Sequence, residues 1–477
     1  MSDHLKYPDS DTKGTSRDSL SKVESNDDDK ELERRIIRFV DWRILPLLSM
    51  IYAFALIDRV NLGAANTAGM GKDLKLTIHS RYTIVTCVYF IPYVLLQLPG
   101  NLILRRFGVK NVIGFSVVGW GAVQLGMGFV HTWGDLALCR VLLGACEAAY
   151  FPAMVFVITT WYKRHEVQKR LAIFWLFAVT AMGFSPVLAY GFSLLNGRRG
   201  IAGWSWIFII EGSVTLLLGI LAYLFIPEFP DRNTFLTSQQ TAIVLKRIEE
   251  DRGDSIPDPL TRQKLLFYLS DWTLWASGIM FMCASMPAYA LAYYISIILT
   301  GMGWSTANAL LLSAPPYGAA ILTTMFFSWL SDKHKHRAGY ILIQAVICIV
   351  GIALTAFAKN SAVRYFGTFV LCAGNIGTIP GIIAYASNNV ATQSKRSVQS
   401  AMTVLFAGCG GVLASTTYRE QDAPRFIPGL ITTMGCQGVL IVALATTHLH
   451  FRRLNRLSRE GKLNDPLEGR EGFYYTL

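Results

Sequence analysis

Twelve continuous apolar segments dominate this chain. A helix needs roughly 20 apolar residues to cross about 30 Å of bilayer hydrocarbon, whereas a membrane β-strand shows alternation over about ten residues. Because backbone groups in lipid must be satisfied internally and the segments do not alternate, each is predicted to be a transmembrane helix. The segments are 44–63, 82–104, 111–130, 135–160, 169–192, 204–226, 272–298, 305–330, 338–358, 364–388, 398–417 and 427–448.

The composition excludes a soluble protein of this length. Only 16% of the 477 residues are charged, against about 25% in soluble domains. A net charge of +12 could indicate nucleic-acid binding, but the cations lie beside the apolar segments, so no nucleic-acid partner is expected. The eight cysteines lie inside predicted spans without a C-x-x-C pair. We therefore expect apolar fillers, with neither metal ligands nor a cofactor.

The distribution of Lys and Arg predicts the orientation in the membrane. If both termini are cytoplasmic, the cytoplasmic loops and tail flanks hold twenty of these cations and the outer loops hold nine. Cytoplasmic segments close to membrane spans carry an excess of Lys and Arg. The sequence therefore predicts that both termini are cytoplasmic.

One long polar stretch divides the twelve segments into six and six. Two six-helix halves of this kind are typical of transporters built from parallel repeats. The first residues are polar and charge-dense, which is typical of disorder. The predicted organisation is a disordered cytoplasmic tail at 1–40, a first bundle at 41–226, a cytoplasmic loop at 227–271, a second bundle at 272–448 and a cytoplasmic tail at 449–477.

The two halves carry a similar basic loop at equivalent places, residues 101–110 after span two and 328–337 after span eight. Both loops resemble the signature G-x-x-x-D-[RK]-x-G-x-[RK]-[RK] of the major facilitator superfamily. The second copy keeps Asp332 and Lys333 in register. In the first, Asn101 replaces the glycine and Arg105 replaces the aspartate.

Further segments resemble one branch of that superfamily, the anion:cation symporters, which includes fungal permeases for allantoate, nicotinate, pantothenate and biotin. The resemblance runs from about residue 40 to 455 and implies an all-α membrane fold of twelve transmembrane helices in two six-helix bundles. It is specific for fold and branch but not for substrate. The segments that carry it are Leu45, Pro46, 57–63, Arg140, Gly144, Glu147, Ala148, Phe151, Pro152, Trp161, Tyr162, Glu166, Arg170, 206–208, Glu211 and Gly212.

Span one contains a carboxylate and a guanidinium next to each other. An ionisable group near the centre of a span costs at least ~2.5 kcal/mol and is a functional candidate. Asp58 and Asn61 are three residues apart and share a helix face, whereas Arg59 is rotated by about 100°. One reading is an interfacial ion pair that reaches the headgroups. The other is that Asp58 takes up a proton while Arg59 attracts an anionic substrate.

Span four places Arg140, Gly144 and Glu147 on one helix face. Gly144 leaves room for a neighbouring helix or a substrate. One reading is a structural buried pair. The other makes Glu147 a second proton site with Arg140 as its counter-ion.

In the branch that this chain resembles, matching acids on spans one and four handle protons, and matching arginines serve substrate binding or switching. The resemblance implies these roles for Asp58, Glu147, Arg59 and Arg140. Glu211 is expected to cap span six or anchor it near the outer interface, with a functional role as the alternative. Arg170 is expected to snorkel at the cytoplasmic side of span five.

The second half offers polar and aromatic groups in its spans but no buried charge. Tyr289 and Tyr293 are four residues apart and can face one cavity, and Asn375 lies in span ten. Such groups suit a carboxylate or amide ligand held by hydrogen bonds beside an aromatic wall, although tyrosine is also common at membrane interfaces. We expect these three residues to contact substrate.

The basic loops suggest a gate. Arg105, Arg106, Asp332 and Lys333 lie at cytoplasmic helix ends, where they can pair across helices or with carbonyl groups. Breaking such contacts would bias inward-open against outward-open states. The alternative is that these cations only set topology.

Three functions remain open on the sequence. The first is proton-coupled uptake of a small organic anion at the plasma membrane by a monomer. The second is metabolite export, supported only by Pro186 and its neighbours. The third is an intramembrane receptor or enzyme, but no H-E-x-x-H, G-x-S-x-G or P-loop motif occurs in the sequence, so no catalytic residue is predicted.

Overall fold

The computed structural model describes residues 14–477 except 229, 231–232, 253–260, 335, 424, 464 and 471, and the side chains of 14–30, 98, 100–106 and a few other helical positions are not described. The described residues form α-helices joined by short turns, without a β-strand. Ten of the helices are long and apolar enough to cross a membrane. Helices also occupy the other two predicted spans, the second and the third.

The first bundle contains spans one to six. Its helices, in that order, are Gly14–Ala65, Arg81–Cys87 with Phe90–Phe107, Val109–Met127, Trp133–Glu147 with Tyr150–Trp161, Arg164–Ser193, and Gly203–Phe225. Two further helices, Ser238–Arg252 and Arg262–Leu269, lie in the central loop.

The second bundle contains spans seven to twelve and confirms the predicted fold class. Its helices, in that order, are Trp272–Gly301, Thr306–Leu312 with Pro315–His334, Arg337–Phe357, Ser361–Asn375 with Thr378–Asn388, Gln393–Thr417, and Ile427–Arg459.

Prolines explain where four of the spans are interrupted. A proline inside a helix removes the bond to the carbonyl four residues earlier. Pro92, Pro152, Pro316 and Pro380 each stand two to four residues after a position in a short break, and the breaks are at 88–89, 148–149, 313–314 and 376–377. In lipid, a freed carbonyl must find another donor. The Leu312 carbonyl does so, since it accepts a hydrogen bond of 2.9 Å from the Tyr365 hydroxyl.

The two bundles meet closely at the end of the molecule away from the chain's tails. A Cβ atom on Gly63 of span one would lie 2.4 Å from the carbonyl oxygen of Tyr293 in span seven. That carbonyl accepts a hydrogen bond of 3.2 Å from the Tyr82 hydroxyl of span two. Thr67 and Ser296 add a hydroxyl contact of 3.1 Å between the same bundles. These contacts close the far end of the interface between the bundles.

Charged side chains join the tail-side end of the first bundle. Arg170 of span five binds both oxygens of Asp41, at 2.8 and 2.9 Å. Arg247 of the central loop pairs with Glu33 and with Glu166. Arg170 therefore forms a bidentate ion pair instead of the predicted snorkelling contact with lipid, because Asp41 at the start of span one lies within its reach.

The predicted disordered tail at 1–40 differs in part from the structure. Residues 1–13 lie outside the described residues, but span one's helix already begins at Gly14. Ile36, Ile37 and Val40 are buried. The helix extends back because these apolar side chains and Glu33 find partners in the first bundle.

The last residues pack against the tail-side end of the second bundle. The side-chain amide of Asn455 exchanges two hydrogen bonds with the backbone of Tyr475, and that of Asn389 does the same with Thr476. Lys395 bridges Asp271 at 2.7 Å and Glu468 at 2.6 Å. Burial acts to raise the pKa of Asp271, but the hydrogen bonds from Lys395 and Thr273, together with the charge of Lys395, outweigh it and hold that pKa below its ordinary value.

Close packing of spans nine and ten depends on glycine. A Cβ atom on Gly351 would lie 2.2 Å from the backbone nitrogen of Leu371, whereas one on Gly191 meets nothing within 4 Å. We expect Gly351→Ala to destabilise the protein by about 1–3 kcal/mol, because the backbones must move apart. The matched Gly191→Ala control should be neutral or stabilising, since alanine favours helix by about 0.5–1 kcal/mol. Thermal unfolding of purified protein, followed by tryptophan fluorescence, tests this. Equal midpoints for the two variants would contradict it.

Candidate functional site

A buried ion pair lies between the two bundles. The guanidinium of Arg59 in span one contacts Glu147 Oε1 of span four at 2.6 Å. The second oxygen of Glu147 accepts a short hydrogen bond from the Tyr89 hydroxyl of span two. Arg59 also donates to the hydroxyl of Tyr289 in span seven, at 3.3 Å. The guanidinium therefore touches both bundles at once.

Aromatic rings surround this pair. The Arg59 guanidinium lies 5.2 Å from the ring centre of Tyr89 and 4.8 Å from that of Tyr93. The ring of Tyr289 stacks near Tyr293, with 6.4 Å between the ring centres. Arg59 is 6% exposed and Glu147 is 3% exposed. Cation–π contacts strengthen when water is excluded. The rings therefore stabilise the buried Arg59 guanidinium, whose charge Glu147 already balances.

Two helix breaks position the partners of Arg59. Tyr89 lies in the break of span two, and Glu147 is the last residue before the break of span four. Gly144 allows the two spans to approach, because a Cβ atom there would lie 2.2 Å from the Tyr89 carbonyl oxygen. Close backbone approach therefore lets a tyrosine hydroxyl and a glutamate from different spans meet.

Asp58 faces the opposite side of span one. Its Oδ2 atom accepts hydrogen bonds from Thr215 of span six at 2.8 Å and from Trp120 of span three at 3.2 Å. Asn61 donates to Glu211 Oε2 at 2.7 Å. Asp58 and Asn61 thus share one face of span one and Arg59 occupies another, as helical spacing predicts.

Glu211 is not where the sequence argument expected it. It is 1% exposed and lies inside the first bundle, so the prediction of a cap or an interfacial anchor is wrong. Asn61 supplies the amide donor that allows a carboxyl group to be buried there. The signal that could have found it is the spacing of Glu211 and Thr215, two polar residues one helical turn apart in an otherwise apolar span.

Arg140 does not pair with Glu147. Seven residues of helix separate them by about 10 Å along the axis, and Arg59 reaches Glu147 instead. Arg140 is 1% exposed. Among the described residues, its Nε atom and one of its terminal nitrogens find no hydrogen-bond partner. The expected counter-ion role for Arg140 is therefore corrected, and its guanidinium keeps unused donors.

The predicted substrate contacts of the second half separate into two groups. Tyr289 and Tyr293 join the aromatic wall beside Arg59. Asn375 instead serves span seven, where its amide nitrogen can donate to the Ala284 carbonyl at 3.0 Å and its oxygen can accept from the Ala288 N–H at 3.1 Å. These atoms flank Pro287, which interrupts the bonding of span seven. The polar atoms of Asn375 therefore bond to the backbone of span seven on either side of Pro287.

The predicted gating residues are described only in the second half. The side chains of Arg105 and Arg106 lie outside the described residues. Asp332 accepts a hydrogen bond of 3.0 Å from Arg337, which begins the next helix. The Lys333 ammonium lies 5.0 Å from the ring centre of Trp329. These contacts are local to the end of span eight and the start of span nine.

Comparison with known proteins identifies the class. Residues 48–415 match the model of the Major Facilitator Superfamily, and the chain belongs to this family. It is 31% identical over 441 residues to an uncharacterized transporter of Schizosaccharomyces pombe, covering 91% of this chain and 86% of that protein. It is also 31% identical over 443 residues to the major facilitator-type transporter hxnP of Emericella nidulans, covering 90% and 88%.

Solved structures show the same fold. A bacterial homologue of the human lysosomal transporter Spinster, in an inward-facing and occupied conformation, superposes with a TM-score of 0.65 at 16% identity, covering 86% of this chain and 96% of that one. The xylose transporter XylE from E. coli gives a TM-score of 0.66 at 13% identity, covering 85% and 96%. The chain is therefore a multi-pass membrane transporter of a small molecule, not an enzyme.

The buried ion pair generates a stability prediction. Removing one partner leaves an uncompensated buried charge, which costs about 3–5 kcal/mol. We expect Arg59→Gln and Glu147→Gln each to lower thermal stability strongly, and the double variant to be more stable than either single variant. Unfolding midpoints of the three purified variants measure this coupling. Additive losses in the double variant would show that the two side chains do not stabilise each other.

Proposed function

We propose that this chain is a proton-coupled uptake transporter for a small organic anion. The observation that carries the proposal is the Arg59–Glu147 pair, because its guanidinium also bonds Tyr289 of the opposite bundle. A substrate carboxylate matches the same guanidinium in charge and in geometry. The residue resemblance to the anion:cation symporter branch favours the same substrate class.

Competition for Arg59 supplies a coupling mechanism. While Glu147 is ionised, it occupies the guanidinium at 2.6 Å. A proton on Glu147 removes that negative charge and leaves Arg59 able to bind an anionic substrate. Loss of the proton restores the original pair and displaces the anion. Since Arg59 touches both bundles, exchange of its partner changes contacts across the interface that alternating access must open and close.

Other residues of the interface suit a small carboxylate ligand. Arg140 has guanidinium donors without a hydrogen-bond partner in the described part of the chain, and it can bind a second polar group of the substrate. Tyr289 and Tyr293 provide an aromatic wall. This combination favours a vitamin-like carboxylate, such as nicotinate or pantothenate, or an ureide acid such as allantoate.

The setting of this transport is part of the same proposal. We assign the protein to the plasma membrane as a monomer with cytoplasmic tails, on the charge bias of its loops and on the family resemblance. Breaking the contact between Asp332 and Arg337, together with rearrangement around Lys333, Arg105 and Arg106, would then accompany opening at the cytoplasmic side.

Uptake by reconstituted protein tests the proposal. Proteoliposomes with an imposed inward proton gradient are supplied with radiolabelled nicotinate, pantothenate and allantoate. Accumulation that collapses on adding a protonophore is expected. Protein-free liposomes provide the control. Proton-driven movement of a different compound in the opposite direction, with no accumulation of any anion, would replace uptake by export.

Asp58→Asn should abolish uptake driven by the proton gradient but not substrate exchange. The substitution keeps the shape and the acceptor oxygen but removes the titratable group. We expect concentrative uptake to be lost while exchange of labelled for unlabelled substrate remains measurable. Undiminished accumulation in the variant would remove Asp58 from proton coupling.

Arg59→Lys should weaken substrate binding while keeping the positive charge. A lysine replaces the planar fork of donors by a point charge and cannot bind a carboxylate in two places. We expect the apparent affinity for the anion to fall about tenfold or more, equivalent to one lost charge-assisted hydrogen bond of roughly 1.5–3 kcal/mol. Concentration dependence of exchange measures it. Equal affinity in both proteins would exclude Arg59 from the substrate site.

A further inference from the structure

A second cluster of buried carboxyl groups lies inside the first bundle, on the face of span one that turns away from Arg59. It joins Asp58 and Asn61 of span one to Glu211 and Thr215 of span six through two hydrogen bonds. Thr215 stands one helical turn beyond Glu211, so the two positions of span six that contact the cluster lie about 6 Å apart along its axis. Trp120 of span three donates to Asp58 and completes the cluster.

Three acceptor oxygens in this cluster have no donor. In the described part of the chain, Asp58 Oδ1, Asn61 Oδ1 and Glu211 Oε1 are buried without a hydrogen-bond partner. The Asn61 nitrogen is held by Glu211, so this amide has no second orientation that would satisfy its oxygen without giving up that bond. An ionised carboxylate can only accept hydrogen bonds. Each unsatisfied buried acceptor is unfavourable, and together they indicate a missing donor.

The charged groups around the cluster leave it short of one positive charge. Asp58 and Glu211 lie within electrostatic range of each other, and the charges of Glu147 and Arg140 also act on Asp58. Arg59 neutralises Glu147 directly. If both carboxyl groups of the cluster are ionised, Arg140 balances only one of them, and it does so without a hydrogen bond to either. One uncompensated negative charge would remain in a bundle interior, where unpaired charge is strongly unfavourable.

We propose that Asp58 and Glu211 bind one proton between them, and that Glu211 is a proton-carrying residue of this transporter. The proton turns one carboxyl oxygen into an O–H group, which is the kind of donor that the buried acceptors lack, and it removes the excess negative charge. Asn61 and Thr215 position the two carboxyl groups. The transport of this proton with substrate rests on the proposed function, but its binding to the protein does not.

The cluster and the anion site are coupled through span one. Asp58 and Arg59 are adjacent in sequence and face different sides of the same helix. Any rotation or shift of span one that alters the Arg59 contacts therefore also moves Asp58 against Thr215 and Trp120. The proton of the cluster is held within one bundle, while the anion, and the proton that Glu147 takes up, bind at the interface between both.

Infrared difference spectroscopy tests the proton directly. The full chain is reconstituted in lipid without substrate and titrated with pH. We expect wild type to show the C=O stretch of a protonated carboxylic acid at neutral pH. Both Asp58→Asn and Glu211→Gln should lose it, because the introduced amide N–H supplies the missing donor and leaves the remaining carboxyl group ionised. Glu166→Gln provides the matched control, since Glu166 pairs with Arg247, and it should keep the band.

Three results would overturn the shared site. They are a wild type without the band, a band that survives in Glu211→Gln, and a band that Na⁺ removes at constant pH, which would make the occupant a metal ion. The isosteric variants are checked for monodisperse elution before the measurement. If both fail to fold, a wild type without the band still overturns the proposal. The infrared band can behave as expected while proteoliposomes show no proton-driven uptake. That pair of results would reject the proposed transport function but not the shared proton site.

Discussion

A charge buried in a membrane bundle must find a partner, and this constraint explains most of the interior described here. Arg59 satisfies it with Glu147, Tyr89 and Tyr289, which come from three different spans. Desolvation makes the pair costly to break on one side alone. If Glu147 is protonated, or if another anion arrives, Arg59 can exchange one negatively charged partner for another. Its guanidinium is then never left without a partner. The ion pair that joins spans one and four beside the interface is therefore also the element that we propose a ligand to switch.

Span one organises the charges by using its faces separately. Arg59 points to the interface between the bundles, while Asp58 and Asn61 point into the first bundle toward Glu211 and Thr215. An anion and a proton can thus bind to one helix without competing for the same space. A rigid helix transmits a displacement on one face to the other, which is the physical basis of the coupling that we propose.

The fold and part of the site could be predicted from residues alone. Apolar length predicted the spans, and helical spacing placed Asp58 and Arg59 on different faces. Arg140 was expected beside Glu147 because both lie on one face of span four. They are separated by about 10 Å along the helix axis, and Arg59 of span one pairs with Glu147 instead. Glu211 was expected at an interface. Its partner Asn61 is 150 residues away in the sequence, so local spacing could not reveal their contact. Asn375 supports the kink at Pro287, a contact between spans that no local pattern reveals.

The sequence by itself determined the twelve spans, their division into two halves and the few ionisable residues available inside the membrane, because the hydrophobic thickness of the bilayer acts on each segment separately. Prolines, also local, determined where four spans break. Only the tertiary structure decided which charges meet. Pairing depends on the distance between side chains of different helices, and that distance is set by close backbone approaches such as Gly144 against Tyr89 and Gly63 against Tyr293. Packing between helices, rather than composition, therefore divides the interior into the Arg59–Glu147 pair and the carboxyl cluster.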